Sequence, residues 1–430
     1  MDLMRSIRSE IKDFCADFDP RKNIYDRVLI YLIVVSSALR ILWLNNPPDP
    51  IFDGKFYVNA ARIILGLASD PRFHVGATPG IDPSGHAPLA TGIITFFIMI
   101  FGDNAYSFRA PSVIFGIFSI LIFYILAKKL SANPKLALIA SFLYSFDNLV
   151  FITSRIAMLD IFMLAFMILG FYFCINNKMV LSAITIALSV LSKYTGALAI
   201  GVIIAYYLLK KSDQSKNYNF MNRLKGIERF IIVFFVTFLS LHAFLGWLYG
   251  GYINPFNHMF GFISYAAKLA RPQLEGIASY PWQWLMNEAQ IPYYVVTGRV
   301  THGGEYIMTV TLKAFIGAMT PAIIYLTIPS IAYTTYRYVR IRDNASLFIL
   351  LWFIFTYLPY YPMSLIMHRI MYIFYFLSAI PAVCLAISYG IWDLRSIFKK
   401  HTILHLIIIC VYLAMVLFGF YMLFPFKTFP

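Results

Sequence analysis

A chain of 430 residues that is 60% hydrophobic and only 13% charged lies outside the composition of soluble domains, in which about a quarter of residues are charged. That balance excludes an ordinary water-soluble enzyme or binding module. The formal charge of +15 reads as the basic inner turns of a membrane protein rather than as a nucleic-acid surface.

In chain order, residues 1–26 mix basic and acidic side chains with no small-residue cleavage site before an apolar core, so they read as a cytoplasmic amino-terminal segment and not as a cleaved signal. Apolar runs suited to about 30 Å of hydrocarbon then recur near 27–45, 109–127, 135–152, 160–176, 179–193, 195–209, 229–249, 307–332, 345–360, 366–391 and 402–424. These eleven spans predict an all-α integral membrane bundle. The run 90–101, ATGIITFFIMIF, reaches only about 18 Å at 1.5 Å per residue and reads as an interfacial or re-entrant helix. With that run kept outside, the basic turns at 128–129, 210–229, 337–342 and 395–400 share one side, the cytoplasmic one. The division that follows is 1–26; 27–249, a transmembrane half that carries outer loop 46–108; 250–306, a second outer loop; and 307–430, a carboxyl-terminal transmembrane half. Long outer loops of this kind usually carry function. The four cysteines, Cys15, Cys174, Cys384 and Cys410, lack metal-ligand spacing and read as free thiols.

The first outer loop places Asp53 at the start of an amphipathic stretch in which Tyr57, Ala60, Ala61, Ile64 and Leu65 recur at helical spacing, suited to the membrane surface. Asp53 is either a helix cap or a reactive carboxylate. His86, in a Pro- and Gly-flanked turn, is either structural or a neutral donor, proton carrier or metal ligand. Arg109, Arg155, Asp160, Lys193 and the pair His368–Arg369 fall at one depth, the outer end of the spans. A single such cation is commonly an anchor with its stem in the lipid. Several together suit an anion held at the lipid surface, such as a lipid phosphate. Sugar transfer from a polyprenyl phosphate fits this arrangement. Asp53 or Asp160 takes the acceptor proton, and Arg109, Lys193 or Arg369 stabilises the departing phosphate. One base acting by direct displacement inverts the anomeric carbon.

The motifs IFDGKFYV, GHAPLATG, FGDNAYSFRAPSVIFG, NLVFITSRIAMLDIFM, LSVLSKYTG, ASYPWQWLM and HRIMYIFYFLSAIP, in this order over residues 27–392, resemble the protein O-mannosyltransferases, a family of class C glycosyltransferases, and more distantly the lipid A aminoarabinose transferases. The resemblance implies about eleven spans, a dolichyl phosphate mannose donor and a Ser or Thr acceptor outside the cytoplasm. It matches Asp53 to the first acid of an Asp-Glu pair, the catalytic base, with Gly54 in place of the second acid and more space beside Asp53. It matches His86 to a motif whose terminal lysine is here Thr91, offers Asp82 as a substitute for a nearby acid, and carries over Arg109, Arg155, Asp160 and Lys193 unchanged. The compact loop 250–306 resembles the prokaryotic form, and with it a prokaryotic-type plasma membrane. Its Trp282, Trp284, Tyr293 and Tyr294 are either a segment closing over the site or an interfacial belt.

The implied partners are a polyprenyl or dolichyl phosphate sugar, a protein or lipid acceptor and the membrane, with a dimer compatible and no nucleic acid. No cofactor is required; a divalent cation among Asp53, Asp82 and His86 is the one metal arrangement the residues admit. The alternatives are a lipid or glycan acceptor, a non-catalytic family member and, from another class, a transporter or flippase.

Overall fold

Asn104 begins one of the long helices of the first half of the chain. Its side chain accepts from the backbone N–H groups of Tyr106 and Ser107, and the Ser107 hydroxyl in turn accepts from its N–H, a capping box that starts the helix Ala105–Ser131. Lys128 and Lys129 stand in the last turn, where the helix dipole favours cations. From Arg109 to Lys128 the rise is about 28 Å at 1.5 Å per residue, close to one hydrocarbon thickness. In this computed structural model, which describes residues 17–70, 72, 86–211, 220–249, 254–268, 270, 276–302, 305–397 and 402–426, five helices are long and apolar enough to cross: Ala105–Ser131, Phe220–Leu248, Asn344–Leu365, Ile373–Ser396 and Thr402–Leu423. Pro88–Phe101, Asp160–Ile175, Met179–Ser192 and Tyr194–Leu209 are apolar but shorter. The chain is a mostly helical integral membrane protein.

Polar contacts collect at two levels. At one, Asp26 takes hydrogen bonds from the Tyr124 hydroxyl at 2.6 Å and Lys128 at 2.9 Å, Lys129 meets Asp17 at 3.2 Å, and Arg337 bonds Asp393. At the other lie Arg109, Arg155, Asp160 and Lys193. Between them the core is apolar, built on side chains such as Phe123, Tyr144, Phe162, Phe171 and Trp352.

Four sequence expectations change. The helix Pro88–Phe101 has 14 residues, as many as Met179–Ser192, so shortness does not set it apart. It buries Ala90, Thr91, Ile94, Thr95 and Ile98 and exposes Phe96, Met99, Ile100 and Phe101, so its outward face is apolar, as suits contact with lipid. The span expected over 135–152 is broken into Pro134–Ser145 and Asn148–Thr153, because Asp147 accepts from the N–H groups of Leu149 and Val150 and caps a new helix. The span expected from 366 starts later: residues 366–372 run beside the second outer loop, with an Ala270–Arg369 bridge and a Ser279 N–H to Met371 carbonyl bond of 2.9 Å, before helix resumes at Ile373.

The fourth change is the largest. Residues 307–317, expected to open a helical span, belong to a hairpin of strands β1 (Ile291–His302) and β2 (Glu305–Gly317), paired from Ile291↔Gly317 to His302↔Glu305. The signal was in the sequence, where Val and Thr alternate on both sides of Gly303-Gly304, but mean hydropathy outweighed it. The base of β2 is tied into the bundle. The Ala314 N–H donates to the Pro425 carbonyl at 2.8 Å, and the Asn148 side chain donates to the carbonyls of Ile316 and Ala318, both at 2.8 Å. Helix exists only from Pro321 onward. Cys174 and Cys384 are buried free thiols and Cys410 an exposed one, while Cys15 lies outside the described residues.

Candidate active site

The Asp53 carboxylate is placed by the short helix Gly54–Ile64, which buries Tyr57, Val58, Asn59, Ala60 and Ala61. Asp53 stands at the helix start, yet its side chain makes no capping bond, so its position is not explained by capping. Its backbone carbonyl, not its carboxylate, receives the Phe56 N–H at 2.9 Å. Asp53 is half-buried. Burial, against the opposing pull of Lys193 and with Asp160 adding to it, pushes the Asp53 carboxyl up to about 6.

Gly54 leaves less room than its lack of a side chain suggests. A Cβ there would stand 3.3 Å from the Ala157 carbonyl oxygen, so the segment leading to Asp160 already fills that side of Asp53.

Asp160, first residue of the helix Asp160–Ile175, and Lys193, which follows Met179–Ser192, form a buried ion pair: the ammonium donates to both carboxylate oxygens at 2.8 Å and lies 4.8 Å over the Phe374 ring. A carboxylate so engaged is a poor proton acceptor. Asp53, which accepts no hydrogen bond among the described residues, is the available one.

His86 sits beside Tyr57, ring centroids 5.6 Å apart. Burial above all, then Lys193, His258 and Arg369 around it, push its imidazole down to about 3, so the ring is neutral at physiological pH. Arg369 is half-buried, with Nε shielded and bonded to no protein atom. Two buried hydroxyls without partners, those of Tyr293 and Tyr360, lie within electrostatic range of Asp160. Burial raises the Tyr293 phenol well above its usual value. Tyr360 carries no spacing or motif signal, since it lies within an apolar span. His258 is likewise visible only in three dimensions, where its Nδ1 meets the Tyr194 hydroxyl at 2.9 Å and His242 Nε2 at 3.2 Å.

Arg109 and Arg155 do not join this group. Arg109 donates to the carbonyls of Leu44 at 2.6 Å and Asp49 at 2.7 Å. Arg155 donates to the carbonyls of Leu39 at 2.9 Å and Leu42 at 2.5 Å. Both are buried, and both serve the carboxyl end of the helix Ile24–Ile41 and the chain leaving it, whose terminal carbonyls have no helical partner. These bonds tie the loop that ends at Asp53 to the bundle. Arg109→Leu is expected to strand the buried Leu44 carbonyl and the part-buried Asp49 carbonyl, lowering stability by on the order of 2 kcal/mol. Thermal unfolding in detergent measures this, and Arg109→Lys should recover only part.

Asp82 lies outside the described residues, so the metal arrangement with Asp53 and His86 has only two described members. Among the described residues no group of three His, Cys, Asp or Glu side chains is placed to hold a metal ion. The Thr91 hydroxyl is buried and bonded to no protein atom. Of the four loop aromatics, Trp284 is buried and donates to Ser279 at 2.9 Å, and Tyr293 stacks on Phe52 at 4.1 Å. Trp282 is exposed and Tyr294 half-buried. Alternate residues therefore divide between the site and the surface.

Comparison with known proteins follows this geometry. Residues 85–240 match the family model described as dolichyl-phosphate-mannose-protein mannosyltransferase. A polyprenol-phosphate-mannose--protein mannosyltransferase of Mycolicibacterium smegmatis is 22% identical over 485 aligned positions, covering 96% of this chain and 91% of the relative. One of Corynebacterium glutamicum is 30% identical over 118 positions, or 27% of this chain and 23% of the relative. Among solved structures, the Saccharomyces cerevisiae protein O-mannosyltransferase Pmt1-Pmt2 complex bound to the sugar donor superposes with a TM-score of 0.71 at 9% identity, over 96% of this chain and 91% of that one. ArnT of Cupriavidus metallidurans bound to undecaprenyl phosphate gives 0.55 at 13% identity, over 84% and 60%. The motif order, the shared fold and the match over residues 85–240 agree: the chain is similar to the dolichyl-phosphate-mannose-protein mannosyltransferases.

Proposed function

We propose that this chain is a membrane glycosyltransferase that moves mannose from a polyprenyl phosphate to a Ser or Thr hydroxyl of a protein, with inversion. The observation that carries the reading is Asp53: a half-buried carboxylate with no hydrogen-bond partner among the described residues, set against the Asp160–Lys193 pair, whose Lys193 also acts on a neutral His86.

The acceptor oxygen attacks the anomeric carbon as its proton passes to Asp53. The bond from that carbon to the donor phosphate oxygen breaks, and the electron pair leaves on the polyprenyl phosphate. Arg369 meets the added charge, helped by a neutral His86 as donor, with Lys193 behind it. No step requires a metal.

The reaction is assigned to the extracytoplasmic face and the amino terminus to the cytoplasm. Support comes from the basic turns at the opposite level, where Lys128, Lys129 and Arg337 lie. The five long helices also carry their charged side chains only toward their ends. This suits a reaction at one surface and not a charged path through the midplane.

The test is purified protein with labelled polyprenyl phosphate mannose and a Ser/Thr peptide, scored for label on the peptide and for the product anomer. Label appearing only on a lipid or glycan removes the protein acceptor, and no transfer to any acceptor removes the enzyme. Because the base must be ionised, kcat/KM should climb with pH below a midpoint near 6 and level off above it, the acid limb belonging to Asp53. His86, held near 3, adds no limb in that range. An anionic donor in place resists the Asp53 charge, so the midpoint in kcat should lie higher than that in kcat/KM.

A further inference from the structure

We infer that the acceptor polypeptide binds as an added strand along the outer edge of β1, which presents the hydroxyl to Asp53. The inference rests on the proposed protein acceptor and specifies how it is held. β1 pairs on one side with β2, and among the described residues none of its backbone groups bonds outside the hairpin. The far edge of β2 is different: at its base it meets Pro425 and Phe426.

An open strand edge invites pairing, and proteins normally guard one with charges, prolines or shortness. β1 has 12 residues. Its first eight, IPYYVVTG, contain no charge and a single proline at the second position, and Val295 is 44% exposed. This edge starts at the reaction centre, for Tyr293 of β1 stacks at 4.1 Å on Phe52, the neighbour of Asp53. A strand added about 4.8 Å from β1 passes the Phe52–Tyr293 stack beside Asp53. Gly317 opposite Ile291 makes room for this arrangement, since a Cβ there would stand 2.4 Å from the Tyr293 ring. Recognition through the main chain also suits substrates that share only a hydroxyl, because the ladder reads no side chain.

In either strand direction, alternate residues turn their N–H groups to the partner. Unmodified enzyme would be assayed with polyprenyl phosphate mannose and a peptide series carrying one backbone N-methyl group at successive positions on each side of the acceptor Ser or Thr. The expected result has a period of two: N-methylation at one parity raises the peptide KM by roughly tenfold or more, and at the other by less than about twofold. If the parent peptide is mannosylated but the series is flat, or falls off smoothly with distance from the hydroxyl, β1 pairing is overturned and the edge belongs to another occupant, such as a second copy of this chain. If the parent peptide takes no mannose while another acceptor does, the protein-acceptor reading fails with it.

Discussion

Asp53→Asn is expected to lower mannosyl transfer by about 10²–10⁴-fold, the usual worth of a positioned general base, with the protein still folded and the donor still bound. The amide matches the carboxylate in shape but cannot accept the acceptor proton. The side chain caps nothing, so the change removes no structural bond, and thermal unfolding should stay close to the parent. Removing a negative charge near the donor phosphate should leave donor affinity equal or higher. A rate near that of the parent enzyme would show that another group takes the proton. Asp160→Asn would then be the variant to measure next, although its carboxylate is held by Lys193 at 2.8 Å.

The Asp160–Lys193 pair carries the second large effect. Both side chains are buried, and removing either charge alone leaves the other desolvated without compensation, a loss of about 3–5 kcal/mol. Asp160→Asn and Lys193→Met should each lower the unfolding temperature by several degrees and reduce transfer. The double variant Asp160→Leu/Lys193→Met separates stability from chemistry. Apolar replacement of both partners is often neutral for folding, and the aromatic rings of Phe374 and Tyr375 that flank the ammonium accept a methionine side chain readily. Stability should therefore recover while transfer stays low, because the positive charge near the phosphate is gone. Recovery of both in the double variant would assign the pair to structure alone.

These predictions differ in how far the sequence supports them. Asp53 could be named from the sequence because it stands at the start of an amphipathic stretch and matches an acid in the motif of the resembled family. Whether it was a cap or a free acid was not legible, since both place an acid at a helix start. The difference lies in where the side chain points. Arg109 and Arg155 show the same limit in reverse. A buried guanidinium can be met by any carbonyl within a few ångströms, and the carbonyls of Leu39, Leu42, Leu44 and Asp49 belong to a helix end far away in the chain. Gly54 suggested open space, and the space is taken by Ala157.

By itself the sequence determined the class of the protein. Hydropathy and charge are summed along short windows, and a bilayer sorts them by depth alone, so apolar helices and a polar rim follow without knowledge of packing. Only the tertiary structure decided which charge serves which purpose. Burial makes an unpaired ion costly, so each cation takes a partner from across the bundle: Lys193 takes Asp160, while Arg109 and Arg155 take backbone carbonyls. Strand pairing of 291–302 with 305–317 was likewise settled by contacts between segments, because a period of two and a high hydropathy compete within the same residues. Once those partnerships form, Asp53 accepts no hydrogen bond among the described residues.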